Sequence, residues 1–119
     1  MKECSLLTEN IVVEELKSKK MIITTAESCT GGMIASRIVN VPGASAVFKQ
    51  GYITYCDEAK ISILGVKADT LEKYHAVSRE TAAQMAEGGA RAAGADACIA
   101  VTGVAGPDKE DGMPVGLVY

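Results

Sequence analysis

The sequence predicts an α/β fold, a three-layer α/β/α sandwich with a mixed sheet. Three observations lead there. Short β-prone apolar runs at residues 21–25, 47–55, 97–101 and 115–119 are separated by stretches with helical spacing of apolar residues, and that alternation layers helices on a sheet. Two of the runs end in turns rich in hydroxyls and glycine, Ser28-Cys29-Thr30-Gly31-Gly32 and Thr102-Gly103-Val104-Ala105-Gly106-Pro107. Open α/β sheets hold their ligands at such strand ends. The link from Val101 to Val115 is short, which suits an antiparallel neighbour better than a parallel crossover.

Residues 6–16 read as the first helix, with Leu6, Val12, Val13 and Leu16 near helical spacing. Lys17, Lys19 and Lys20 follow where cations suit the helix dipole. A strand at 21–25 leads into the glycine turn and a helix over 33–39, which Pro42-Gly43 terminates. The run 47–55 reads as a strand interrupted near Gly51, a site for a bulge or a close backbone approach. Residues 57–64 form a short helix stopped by Gly65, and 69–74 another short turn. Ser78 caps a longer helix over 79–93, whose small positions Ala82, Ala86, Gly89, Ala90 and Ala93 suggest close packing. Residues 97–101 read as a buried strand, 108–113 as polar loop, and 115–119 as the start of another strand.

At 119 residues the chain is sized for one domain, 1–119. A net charge of −3 argues against a broad grip on nucleic acid. No apolar run approaches the roughly 20 residues that cross a bilayer, and residues 1–5 do not read as a leader. Cys4, Cys29, Cys56 and Cys98 are widely spaced without a C-x-x-C pair. They are read as reduced thiols of a cytoplasmic protein. The single histidine, His75, excludes a multi-histidine metal site, and Asp108, Glu110 and Asp111 do not have EF-hand spacing. No metal or cofactor is expected.

Three segment ends carry candidate chemistry: Ser28, Tyr55 with Lys60, and Thr102. Serine needs a base to act as a nucleophile, and a lysine whose pKa is lowered by burial can be that base. A tyrosine hydroxyl can orient or relay the proton. Amides near Gly31 and Gly32 could receive an oxyanion. Each residue also has a plain structural reading. Ser28 could be a helix cap, Lys60 a solvated lysine, Tyr55 an amphipathic edge residue and Thr102 a strand-end hydroxyl bonding local backbone. Cys29 is the rival nucleophile. Glu27 is either a carboxylate at a helix N-terminus or a substrate contact.

Taken in order, Thr25-Ala26-Glu27-Ser28-Cys29-Thr30-Gly31-Gly32, Val41-Pro42-Gly43-Ala44-Ser45, Tyr55 with Lys60, Leu64-Gly65-Val66, Ala76-Val77-Ser78, Thr102-Gly103-Val104-Ala105-Gly106-Pro107 and Pro114-Val115-Gly116 resemble the CinA C-terminal domain family. The resemblance implies a nicotinamide-nucleotide amidohydrolase, which converts nicotinamide mononucleotide to nicotinate mononucleotide and ammonia. It implies Ser28 as nucleophile, assisted by Lys60 and Tyr55. It also implies a substrate site lined by Thr102, Gly103, Gly106 and the first glycine loop, Thr30, Gly31 and Gly32, with Glu27 beside it. A homodimer is implied as well. Family domains continue through a last strand into a further helix that carries basic residues, so the chain is expected to lack that helix, and some members carry a larger N-terminal domain. The acidic Asp108-Lys109-Glu110-Asp111-Gly112 stands where relatives are richer in glycine, and His75 where glycine is common. The alternatives are a non-catalytic nucleotide-binding or regulatory module and an amidase for another carboxamide.

Overall fold

In a computed structural model of the chain, residues 7–119 are described. Leu6, expected to open the first helix, Cys4, expected as a reduced thiol, and residues 1–5, expected not to be a leader, lie outside them. The sheet is built around β1 (Ile23–Glu27), flanked by β2 (Tyr52–Ile53) on one side and β3 (Ala97–Val101) on the other, all parallel. β3 runs in full register with β1, from Ile23 opposite Ala97 to Glu27 opposite Val101. Every residue of β1 is buried, as a strand covered by helices on both faces requires.

The two faces carry separate cores. On one, α1 (Thr8–Lys19), α2 (Met33–Val39) and a 3-10 turn at Ala44–Ala46 bring together Val13, Ile38, Val41, Ala44 and Val47. On the other, α3 (Asp57–Leu64), α4 (Ala68–Tyr74) and α5 (Arg79–Ala93) enclose Ala26, Leu64, Val66, Leu71 and Met85. Burying a side chain such as Leu64 or Met85 contributes about 1.5–3 kcal/mol. These faces make the three layers. α5 starts where expected, the Ser78 Oγ accepting from the Thr81 amide at 3.1 Å.

Three local details differ from the pattern read in the sequence. The first strand lies two residues further on, at Ile23–Glu27, which buries Glu27 in the sheet. The run 47–55 contributes only a bridge from Phe48 to Ile23 and the two residues of β2. At Gly51 between them, a Cβ would fall 2.4 Å from the Thr25 Oγ1 and 3.0 Å from the Phe48 ring, so the backbone leans directly on β1. The antiparallel part of the sheet, expected from 115–119, is a bridge between Gly103 and Val118. Thr102 and Tyr119 exchange both backbone hydrogen bonds, at 2.9 and 2.8 Å. A tight turn in which the Leu117 amide donates to the Pro114 carbonyl keeps this segment from extending as a strand. Among the described residues no helix is long and apolar enough to cross a membrane.

Candidate active site

The ends of β1 and β3, the start of α3 and the loop before α5 open onto one cavity of about 350 Å³. Ser28 leaves the end of β1 held on both sides. Its amide donates to the Val101 carbonyl at 3.0 Å, and its own carbonyl accepts from the Gly31 amide at 3.0 Å. Lys60 arrives from the first turns of α3. Its Nζ lies 3.1 Å from the Ser28 Oγ and donates to the Thr54 carbonyl at 3.0 Å.

Lys60 is 1% exposed. Burial pushes its amine below the ordinary lysine value, against the opposing fields of Asp57, Cys56, Glu110 and Cys29. Among the described residues no carboxylate is a hydrogen-bond partner of this amine. A buried ammonium without a counter-ion is costly, so the fold favours the neutral amine, the form that can accept a proton.

Tyr55, Thr102, Gly103 and Gly106 also line the cavity. Tyr55 is 67% exposed, at the mouth. The Thr102 hydroxyl donates to the Ala76 carbonyl at 2.8 Å, which ties two parts of the cavity wall together. Cys29 lines the cavity beside Ser28, but burial raises its thiol pKa. That disfavours the thiolate which the rival nucleophile reading needs.

Glu27, Thr30, Gly31 and Gly32, expected at the substrate site, are not among the residues that line this cavity. The Glu27 carboxylate is fully buried and turned into the start of α2. It accepts from the Thr30 hydroxyl and from the amides of Gly32, Ile34 and Ala35 at 3.1, 3.0 and 2.9 Å. Burial alone would raise its pKa. These four donors outweigh burial and hold it below the ordinary carboxylate value. The positive end of the helix is thus filled from within the chain. The Gly31 and Gly32 amides, expected to receive an oxyanion, are engaged with the Ser28 carbonyl and Glu27.

The far wall is a hairpin that reads in the sequence only as polar loop. Glu110 and Met113 pair antiparallel around Asp111-Gly112, whose φ angles of 50° and 77° are both positive. Asp-Gly is the preferred pair for a two-residue turn of this kind, and that dipeptide was the available signal. Asp111 Oδ2 also lies 3.8 Å from the His75 Nδ1. The hairpin brings Asp108, Lys109 and Glu110 to the cavity, which Asp57 also lines. Among the described residues no group of three or more His, Cys, Asp or Glu could hold a metal ion.

Residues 6–119 match the CinA C-terminal domain. The chain belongs to that family. A putative competence-damage inducible protein of Clostridium novyi (strain NT) is 56% identical over 117 residues, covering 92% of this chain. The chain spans only 28% of that CinA relative's length. Among solved structures, the competence damage-inducible protein A (ComA) of Klebsiella pneumoniae subsp. pneumoniae MGH 78578 is 41% identical with a TM-score of 0.90, over 92% of this chain and 69% of that one. A CinA superfamily protein of Escherichia coli is 38% identical with a TM-score of 0.89, over 98% and 73%.

Proposed function

We propose that this domain hydrolyses the carboxamide of nicotinamide mononucleotide, giving nicotinate mononucleotide and ammonia through a serine acyl-enzyme. One observation carries the reading: a buried lysine amine with a lowered pKa sits 3.1 Å from a serine hydroxyl on the floor of a cavity. Membership of the CinA family and the resemblance of its motifs to amidohydrolase members support the choice of substrate.

Neutral Lys60 takes the Ser28 proton as the Oγ attacks the carboxamide carbon. The tetrahedral intermediate collapses by breaking the C–N bond, and Lys60 returns the proton to the departing nitrogen, so ammonia leaves. Water then attacks the acyl carbon with Lys60 again as base, and the carboxylate departs as the serine recovers its proton. The oxyanion needs a donor other than Gly31 and Gly32. The amide of Cys29, next after the nucleophile, donates to no oxygen among the described residues and takes that role. Removing such a donor typically costs about 10²–10³ in turnover. Tyr55, at the mouth, orients the leaving nitrogen. We extend the proposal to a homodimer, as the family resemblance implies, which light scattering checks.

The deciding experiment is ammonia release from nicotinamide mononucleotide by the protein and by its Ser28→Ala variant. Turnover that vanishes in the variant is expected. Full turnover in the variant would remove Ser28 from the mechanism.

A further inference from the structure

Lys60 reaches Ser28 from another element, on a long unbranched stem that does not by itself fix the direction of the terminal nitrogen. A neutral amine carries two N–H groups and one lone pair, and only the lone pair takes a proton. A base of this kind therefore needs its rotation fixed as well as its distance from the serine.

Thr54 supplies that restraint. Its carbonyl accepts from the Lys60 Nζ at 3.0 Å, and a carbonyl oxygen has no hydrogen to give. One N–H of the amine is thereby committed, whether the nitrogen is neutral or charged. The Ser28 Oγ lies 3.1 Å from the same nitrogen. With an N–H turned to Thr54, the lone pair of the neutral amine is free to face the serine hydroxyl.

Main chain holds this carbonyl still. Thr54 directly follows β2 and is fully buried. Its amide donates to the Glu27 carbonyl at 2.8 Å, which continues the pairing that sets Ile53 opposite Glu27. Glu27 immediately precedes Ser28. The contacts close a ring, from Glu27 to Thr54, from Thr54 to Lys60 and from Lys60 to Ser28. Both contacts that Thr54 makes in the ring are made by its main chain.

We propose that Thr54 is a positioning residue for the reaction, its main-chain carbonyl turning the Lys60 amine toward Ser28 and steadying the ammonium that forms there. This rests on the amidohydrolase reading. As the Ser28 Oγ bonds to the carboxamide carbon, its proton passes to the Lys60 lone pair and the nitrogen becomes an ammonium. The N–H already on Thr54 then makes a charge-assisted hydrogen bond, roughly twice as strong as a neutral one. The carbonyl thus favours the charge that develops in the transition state over the resting amine, which is what accelerates a step.

The test weakens that carbonyl and leaves every side chain in place. Incorporating the α-hydroxy analogue of tyrosine at position 55 turns the Thr54–Tyr55 amide into an ester, whose carbonyl is a poorer acceptor. The Tyr55 amide lost with it donates to no backbone oxygen among the described residues. For nicotinamide mononucleotide, kcat is expected to fall about 10-fold with KM changed by less than about 2-fold. The pH midpoint of kcat/KM is expected to move down by about half to one unit, because the ammonium loses more than the amine does. A lowered thermal midpoint with the pH midpoint unmoved would assign Thr54 a role in folding alone and overturn the proposal, as would an unchanged kcat. A second measurement needs no variant. In the unmodified protein, the NMR signal of the Thr54 carbonyl carbon is expected to shift with the same midpoint as the Lys60 amine. A Thr54 signal that stays flat through that titration also overturns the proposal. Absence of turnover on any carboxamide would sink the amidohydrolase reading, whereas a Thr54 signal that still follows the amine would leave the orienting contact standing.

Discussion

Gly88 of α5 lies so close to Leu64 of α3 that a Cβ on it would fall 1.7 Å from the Leu64 carbonyl oxygen. The two helices meet there backbone to backbone, and Lys60 stands one turn before Leu64 on the same helix. A side chain at this point cannot be accommodated by rotating a neighbour, since the obstacle is main chain. Gly88→Ala is expected to destabilise the fold by about 2–4 kcal/mol. For a domain of this size that lowers the thermal midpoint by roughly 10 °C or more, which calorimetry would register. An alanine variant with an unchanged midpoint would mean that α3 and α5 are further apart than described.

Lys60 separates catalysis from stability. Lys60→Met keeps the apolar stem and removes the amine, so ammonia release should fall by about 10³-fold or more. The folded state should be unaffected or more stable, because replacing a buried ionisable group by an apolar one of similar volume is often stabilising. Chemical denaturation of the variant beside the parent tests this. A large loss of stability would assign the amine a structural role.

The lowered pKa of Lys60 sets the direction of the pH profile. The amine must be neutral to accept the Ser28 proton, so kcat/KM should rise with pH. Its midpoint should lie below 10.5, the ordinary lysine value. The folding linkage has the same sign. Between the lowered folded pKa and 10.5 the unfolded chain binds more protons, so Lys60 adds stability as pH rises through that window. Titration of Lys60 by heteronuclear NMR, with Lys60→Met to identify the signal, would measure the value directly.

Glu27 has the opposite behaviour. Its folded pKa lies below the ordinary 4.5. The stability it contributes is therefore complete above that value and is lost as pH falls through the folded pKa. Glu27→Gln keeps the shape but replaces a charged acceptor of three amides and a hydroxyl by a neutral one. A loss of about 1–3 kcal/mol is expected at neutral pH, and the gap to the parent should narrow on acidification. Equal stability of the two proteins at pH 7 would contradict this.

Periodicity carried most of the architecture. The helix over 79–93 starts after Ser78, and α3 ends at Gly65, each a local signal that packing did not override. The strand 97–101 was equally plain, although the expectation that it is buried holds only for Val101, with Ile99 exposed. What could not be read was contact across the chain. Nothing local tells that Glu27 turns into α2 rather than toward a ligand, because that depends on β1 lying two residues further along. The close approach of Gly51 to Thr25 is likewise a relation between strands. At the cavity, Ser28, Tyr55 and Lys60 could be nominated by residue type and resemblance. The hairpin carboxylates that share the cavity could not, since their placement depends on the Asp111-Gly112 hairpin. The sharing of one cavity by Asp57 and Glu110 is a product of topology alone.

Ser28 follows a buried residue whose carbonyl accepts from Thr54 and whose carboxylate is bound to α2, while its own amide and carbonyl are tied to Val101 and Gly31. Its hydroxyl is thus aimed during folding rather than at each encounter. Freezing a reacting group in advance removes rotational freedom that would otherwise be lost on the way to the transition state. The same clamping makes the chain intolerant of insertions between residues 26 and 32, where one added residue would swing the hydroxyl away from its amine.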